Sequence, residues 1–362
     1  MELNDLARQL EAPDVAARLA AVRALCELER NGGLGPARPR IGPVLPSYDH
    51  VHTRWSYGDS VPGVCSVSRV VWAAHEARAP SVFLVEHESL AHIDEATAAV
   101  RIVNAPDAQP GLRLALAIEF KALIDLDDPA ARKLSEAMAA LWGQGEAAWV
   151  VGVGATRTPE LERLARQFRE AKRLRAEQQL ARLKVHLKLS RRFDLAEILT
   201  TEGNVTDRQF SVAVARAELG DAGDVTLARR GSEIRRMLNP GGPGHVPFPT
   251  GLPTYQELVP QLARWGMLPT STAQLRGRAM AELVPALKSW GIAGLDVAGI
   301  EPTEPDWEQQ IALFIDLAQR HGLALFGGSD YRGTGTGWQR HEAWMDHPFL
   351  RGSIDRVARL VT

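Results

Sequence analysis

Short apolar runs rich in β-branched residues alternate with amphipathic stretches over most of the chain. The runs are SVFLVE (81–86), LRLALAIEF (112–120), AAWVVGVG (147–154), GIAGLDVAG (291–299) and LALFGGSD (323–330). Their length and composition predict strands. Segments such as SVSRVVWAAHEARA and PTYQELVPQLARWG carry helical spacing between them. Strands alternating with helices imply parallel pairing, in a barrel or an open sheet. Either form collects its functional side chains at the C-terminal strand ends.

Two regions break this rhythm. The first 33 residues read as two short helices interrupted at Pro13 and ended by a Gly pair, followed by a Pro- and Gly-rich linker, GLGPARPRIGPVLPS. One such helix pair cannot bury its own apolar face, so the arm is expected to pack on the main body or on a partner, which leaves a homo-oligomer open. Residues from about 157 to 240 read as helical. Leu161, Leu164, Phe168 and Ala171 form a stripe, and eleven Lys/Arg face three Glu between Leu161 and Arg192. That helix is either a solvated basic face or a lid presenting cations to an anionic substrate. The loop NPGGPGHVPFP closes the insert. The expected organisation is an arm at 1–38, a main body at 39–156 and 241–362, and an insertion at 157–240.

Composition narrows the function classes. A formal charge of −2 gives no global field toward nucleic acid or membranes, and the basic helix alone would have to carry a nuclease reading. Two cysteines, Cys26 and Cys65, build no disulfide framework, which fits a reducing cytoplasm. No apolar run approaches the roughly 18 residues needed to span a bilayer.

The polar residues at the strand ends then carry the chemistry. His50 and His52 alternate along an extended segment and aim two imidazoles at one point, half of a transition-metal site. Glu86, His87 and Glu88 end the next run, Glu119 stands alone after LALAI, and Asp330 and Arg332 follow two glycines. A carboxylate finishing a buried strand needs a compensating partner.

In order and spacing, DHVHT, VEHESLAHIDEA, AIE and GSDYRG resemble the successive motifs of the PHP (polymerase and histidinol phosphatase) superfamily over roughly residues 45–335. The resemblance implies an α/β fold, a distorted (β/α)7 TIM-like barrel with the helical insertion and N-terminal arm as additions. It implies a hydrolytic centre of up to three ions, typically zinc, iron or manganese. His50, His52, Glu119 and Asp330 match the ligands of one metal, and His87 matches a ligand of its neighbour. Segment 203–219 is similar to one that follows the long helix in the nucleotide-phosphatase-like branch.

Departures bear on the chemistry. WVVGVG and WGMLPTSTAQ lack the histidines of the matching family motifs, Arg332 stands in place of a histidine, and Glu86 replaces an aspartate. His92 and His245 are the nearby substitutes. One divalent ion, at most two, is therefore expected: Zn, Mn or Fe. The leading reading is a phosphoesterase that hydrolyses a small phosphorylated or anionic substrate through metal-activated water. Arg332 and Glu86 are the catalytic candidates, and Arg54, Arg208 and Arg332 the substrate contacts. Glu86 or Glu88 would orient His87. The alternative is a catalytically degenerate binding or regulatory protein that retains one metal site.

Overall fold

The computed structural model describes residues 3–34, 41, 49–58, 61–105, 111–190, 193–220, 222–272, 275–298, 300, 305–328 and 330–332. Most of the predicted linker lies outside them. The chain opens with α1 (Leu3–Gln9) and α2 (Val15–Arg30), the latter capped by the Asp14 carboxylate, which accepts from the backbone N–H groups of Ala16 and Ala17. Then follow α3 (Arg54–Tyr57), α4 (Val67–Glu76), β1 (Ser81–His87), α5 (His92–Val103), β2 (Arg113–Leu123), α6 (Pro129–Trp142) and β3 (Ala147–Val153). The insertion supplies α7 (Pro159–His186), a 3-10 turn at Leu195–Glu197, α8 (Asp207–Leu219) and α9 (Asp224–Met237). The chain returns through α10 (Tyr255–Arg264), β4 (Leu268–Thr272), α11 (Gly277–Ser289), β5 (Gly294–Asp296), α12 (Trp307–His321) and β6 (Ala324–Phe326).

The six strands form one curled, half-barrel sheet in sequence order. Side chains alternate between its faces, as a strand's period of two requires. Val82, Leu84, Leu116, Ile118 and Phe120 pack outward into the main core under the helices, while Phe83, Val85, Ala115, Ala117, Val151, Val153 and Phe326 fill the inside. The same inward parity carries on to His87, Glu119, Lys121, Trp149 and Asp296. The inner face is thus apolar at one end and polar at the other.

Pairing is not parallel throughout. β3 runs antiparallel to both β2 and β4. The chain leaves β2 at Leu123 and re-enters the sheet opposite it at Ala147, so α6 makes no crossover along the sheet. In consequence the C-terminal end of β3, where the sequence suggested a missing histidine, lies at the apolar rim. Trp149, near the start of the strand, stands at the polar one. The strand β4 is absent from the sequence prediction because LPTST has one large apolar residue. The extended segment carrying His50 and His52 forms, among the described residues, only isolated bridges, with Val51 pairing in parallel with Leu84 and Tyr331.

The arm packs on its own chain. Leu6, Leu10, Val22 and Leu25 belong to the main core, and Arg18 forms a buried ion pair with Glu95 of α5. Leu161, Leu164 and Phe168 at the start of α7 also belong to that core, whereas Ala176, Leu180 and Leu183 join α8 and α9 in a second one. No described helix is long and apolar enough to cross a membrane.

Candidate metal centre

Three strand ends and the His50–His52 segment converge at the polar rim. Ligand atoms of His50, His52 and Glu119 lie within 4.8 Å of one another, all buried. His87 Nδ1 lies 3.2 Å from Glu119 Oε2, and the His52 and His87 rings stack 4.5 Å apart. Asp330 borders the group, its Oδ1 3.6 Å from His52 Nε2 and 3.9 Å from His50 Nε2. The backbone pays for this convergence: His50, Glu88 and Asp330 have φ of 49°, 42° and 42°, each costing about 1 kcal/mol or more. Gly328 lets the segment after β6 pass close by, since a Cβ there would lie 2.1 Å from the Asp49 carbonyl oxygen.

His50 and His87 are each fixed by a partner behind them. His50 Nδ1 lies 2.5 Å from Asp296 Oδ2, which leaves Nε2 for the centre. Tyr57 O–H meets His87 Nε2 at 3.0 Å, and Trp149 lies against the same ring. Neither Glu86 nor Glu88 orients His87. Glu86 accepts from Thr53 N–H, Thr53 O–H and Ser56 O–H, pinning the turn after His52. Glu88 accepts from Lys172 Nζ at 2.7 Å.

Electrostatics follow from burial and these contacts. Burial lowers His52 to about 4 and His87 well below its usual range, so both stay neutral. Burial also pulls on His50, but Asp296, then Asp330 and Glu119, outweigh it and raise it to about 9. Burial raises Glu119 to about 7 and Glu86 to about 8. Burial opposes ionisation of Asp330 too, yet Arg332 holds it down to about 2.

The centre opens into a cavity of about 370 Å³ roofed by the insertion. Arg208 of α8, Arg235 and Arg236 of α9, Lys121 and Arg332 bring positive charge to its wall. The arginines over the cavity come from α8 and α9 and not from α7, where one of the two readings of the basic helix placed them. On α7, Lys172 pairs with Glu88, Arg173 with Glu170 and Glu177, and Arg175 with Asp207. Lys121 Nζ bonds Gln144 and Asp207 and lies over the Trp149 ring, tying β2 to α8.

Of the sequence candidates, His50, His52, His87, Glu119 and Asp330 come together, and Arg208 and Arg332 line the cavity. Arg54 does not reach it: its guanidinium bonds the Glu11 carbonyl and carboxylate on the arm. His245 binds the Leu238 carbonyl in the loop closing the insert. Asp296, Tyr57, Lys121 and Trp149 are neighbours of the centre that the sequence reading missed. Asp296 had a signal, a lone carboxylate ending the apolar GIAGL, of the kind that picked out Glu119.

His92, the other proposed substitute ligand, is fully buried at the start of α5, and burial lowers it to about 3. The unfolded chain takes up this proton near pH 6.5 and the folded chain does not, so stability falls as pH drops below that value. At pH 5 the expected loss from this group is roughly 2 kcal/mol. Denaturant unfolding at pH 7.5 and 5 will show a shallower pH dependence in His92→Leu than in the parent; equal slopes would refute the assignment.

No family model and no curated protein matches the chain. Among solved structures it is similar to a proposed metal-dependent phosphoesterase from Bifidobacterium adolescentis, at 18% identity and TM-score 0.61, over 87% of this chain and 97% of that one. It is also similar to an amidohydrolase from Chromobacterium violaceum with bound sulfate and no metal, at 20% identity and TM-score 0.57, over 85% and 95% of the two chains. These likenesses establish a shared fold across nearly the whole of both neighbours.

Proposed function

We propose that this chain is a metal-dependent hydrolase of the PHP type, a phosphoesterase acting on a small phosphorylated substrate. The observation that carries the reading is a set of buried polar atoms without hydrogen-bond partners: His52 Nε2, His87 Nδ1 and Glu119 Oε2. Buried donors and acceptors are rarely left unpaired, and a cation among them would satisfy all three. Two or three imidazoles with carboxylates suit Zn, Mn or Fe. The bridges from Val51 to Leu84 and Tyr331 favour closure of the sheet into the (β/α)7 form.

A divalent ion held by His50, His52, Glu119 and His87 would polarise a phosphoryl oxygen and lower the pKa of water. The chain's own groups do the rest. Asp296 keeps the His50 proton on Nδ1. Arg208, Arg235 and Arg236 draw and orient an anion in a cavity sized for a small molecule. Trp149 and Trp142 supply apolar surface to the wall. The sulfate held by one structural neighbour is a tetrahedral dianion of matching charge and shape.

A binding protein with a retained metal site remains the second reading, favoured by Arg332's hold on Asp330. Chelator-stripped protein, reloaded separately with Zn²⁺, Mn²⁺ and Fe²⁺, separates them on panels of phosphoesters and amides. Turnover should vanish on stripping and return on reloading, on phosphoesters. Tight metal retention with no turnover on any substrate would establish the binding reading instead.

A further inference from the structure

Asp330 already faces a cation belonging to the chain. Its Oδ1 accepts a 2.6 Å hydrogen bond from Arg332 Nε, and its Oδ2 accepts another from Arg332 Nη2. One planar fork thus engages both oxygens. The unpartnered atoms of His52, His87 and Glu119 lie elsewhere in the same cluster. The centre is divided: one part has ligand atoms without partners, and the other has a carboxylate whose partner is covalently built in.

We propose that the Arg332 guanidinium fills the position a second metal ion would take beside Asp330, so that the centre holds one exchangeable ion and one fixed organic cation. The inference rests on the metal-centre reading above. Three carboxylates, Glu119, Asp296 and Asp330, surround the imidazoles, a charge that calls for more than one cation. A guanidinium meets part of that demand, and it does not deprotonate. It can donate to an anionic oxygen from the cavity wall, where Arg332 stands, but it has no coordination position for water. Among the described residues, neighbouring strands offer a second ion little: β4 ends in Thr272, and the reversed β3 presents Trp149 at this level. A second divalent ion would have to displace the fork from Asp330 and then sit beside its positive charge.

The test counts ions. Untagged, metal-free protein is titrated with Co²⁺, following its d–d absorption, and bound cobalt per chain is measured after gel filtration. The parent should saturate at one equivalent. Arg332→His and Arg332→Met both free Asp330, and the former adds an imidazole. A second equivalent bound by either supports the proposal. Two equivalents in the parent, or one in both variants, would overturn it. No cobalt in the parent would sink the metal-centre reading itself, which keeps the two failures apart.

Discussion

A His52→Ala chain will bind Zn²⁺ at least about 100-fold more weakly than the parent, because losing a direct ligand costs more than losing a partner behind one. His52 is fully buried and its Nε2 has no other hydrogen-bond partner among the described residues. Removing it takes away a donor that no neighbour replaces. Asp296→Asn supplies the graded comparison. An amide cannot hold the His50 Nδ1 proton as strongly as a carboxylate does, so affinity should fall about 10- to 100-fold. Competition with a chromophoric chelator reads both values. Circular dichroism confirms that each variant is folded. Parent-like affinity in folded His52→Ala would mean that the cluster is not a metal centre.

An Arg18→Met chain will lose about 3 kcal/mol of stability, the cost of stranding one member of a buried ion pair. Arg18 Nε and Nη2 meet Glu95 at 2.8 and 2.6 Å, and Nη1 reaches the Ala12 and Pro13 carbonyls. Without Arg18, Glu95 keeps its bonds from Ser68 but loses its countercharge. The double variant Arg18→Met/Glu95→Leu should recover much of the loss, since an apolar pair of similar volume avoids the desolvation penalty. Urea unfolding measures both. A loss under about 0.5 kcal/mol in Arg18→Met would place this contact among ordinary surface pairs.

Some of this was legible because it is encoded locally. Strand period and apolar content identify β1, β2 and β3, and a lone charge closing an apolar run identifies Glu119. What the sequence hid depends on strand direction and on distant partners. Nothing in AAWVVGVG says that the strand runs backwards, so an absent histidine at its end looked like a lost ligand. Arg54 and Arg332 look alike as exposed cations near motif residues. Only the fold shows that Glu11 of the arm holds the first and Asp330 the second. Asp296 escaped because it falls inside the predicted run GIAGLDVAG, whereas the strand itself spans three residues and ends there.

The reversal of β3 also sets a length. The insertion departs from the rim opposite the candidate metal centre, yet its arginines line the cavity over that centre. A 28-residue helix spans about 42 Å, and α7 uses that reach to climb the sheet past Phe120, meet Glu88 and carry α8 and α9 beyond it. It behaves as a boom whose tip holds the roof. Losing one residue would turn everything beyond it by about 100°, so changes in its length should be tolerated only when they keep the helical phase and leave the tip over the opening.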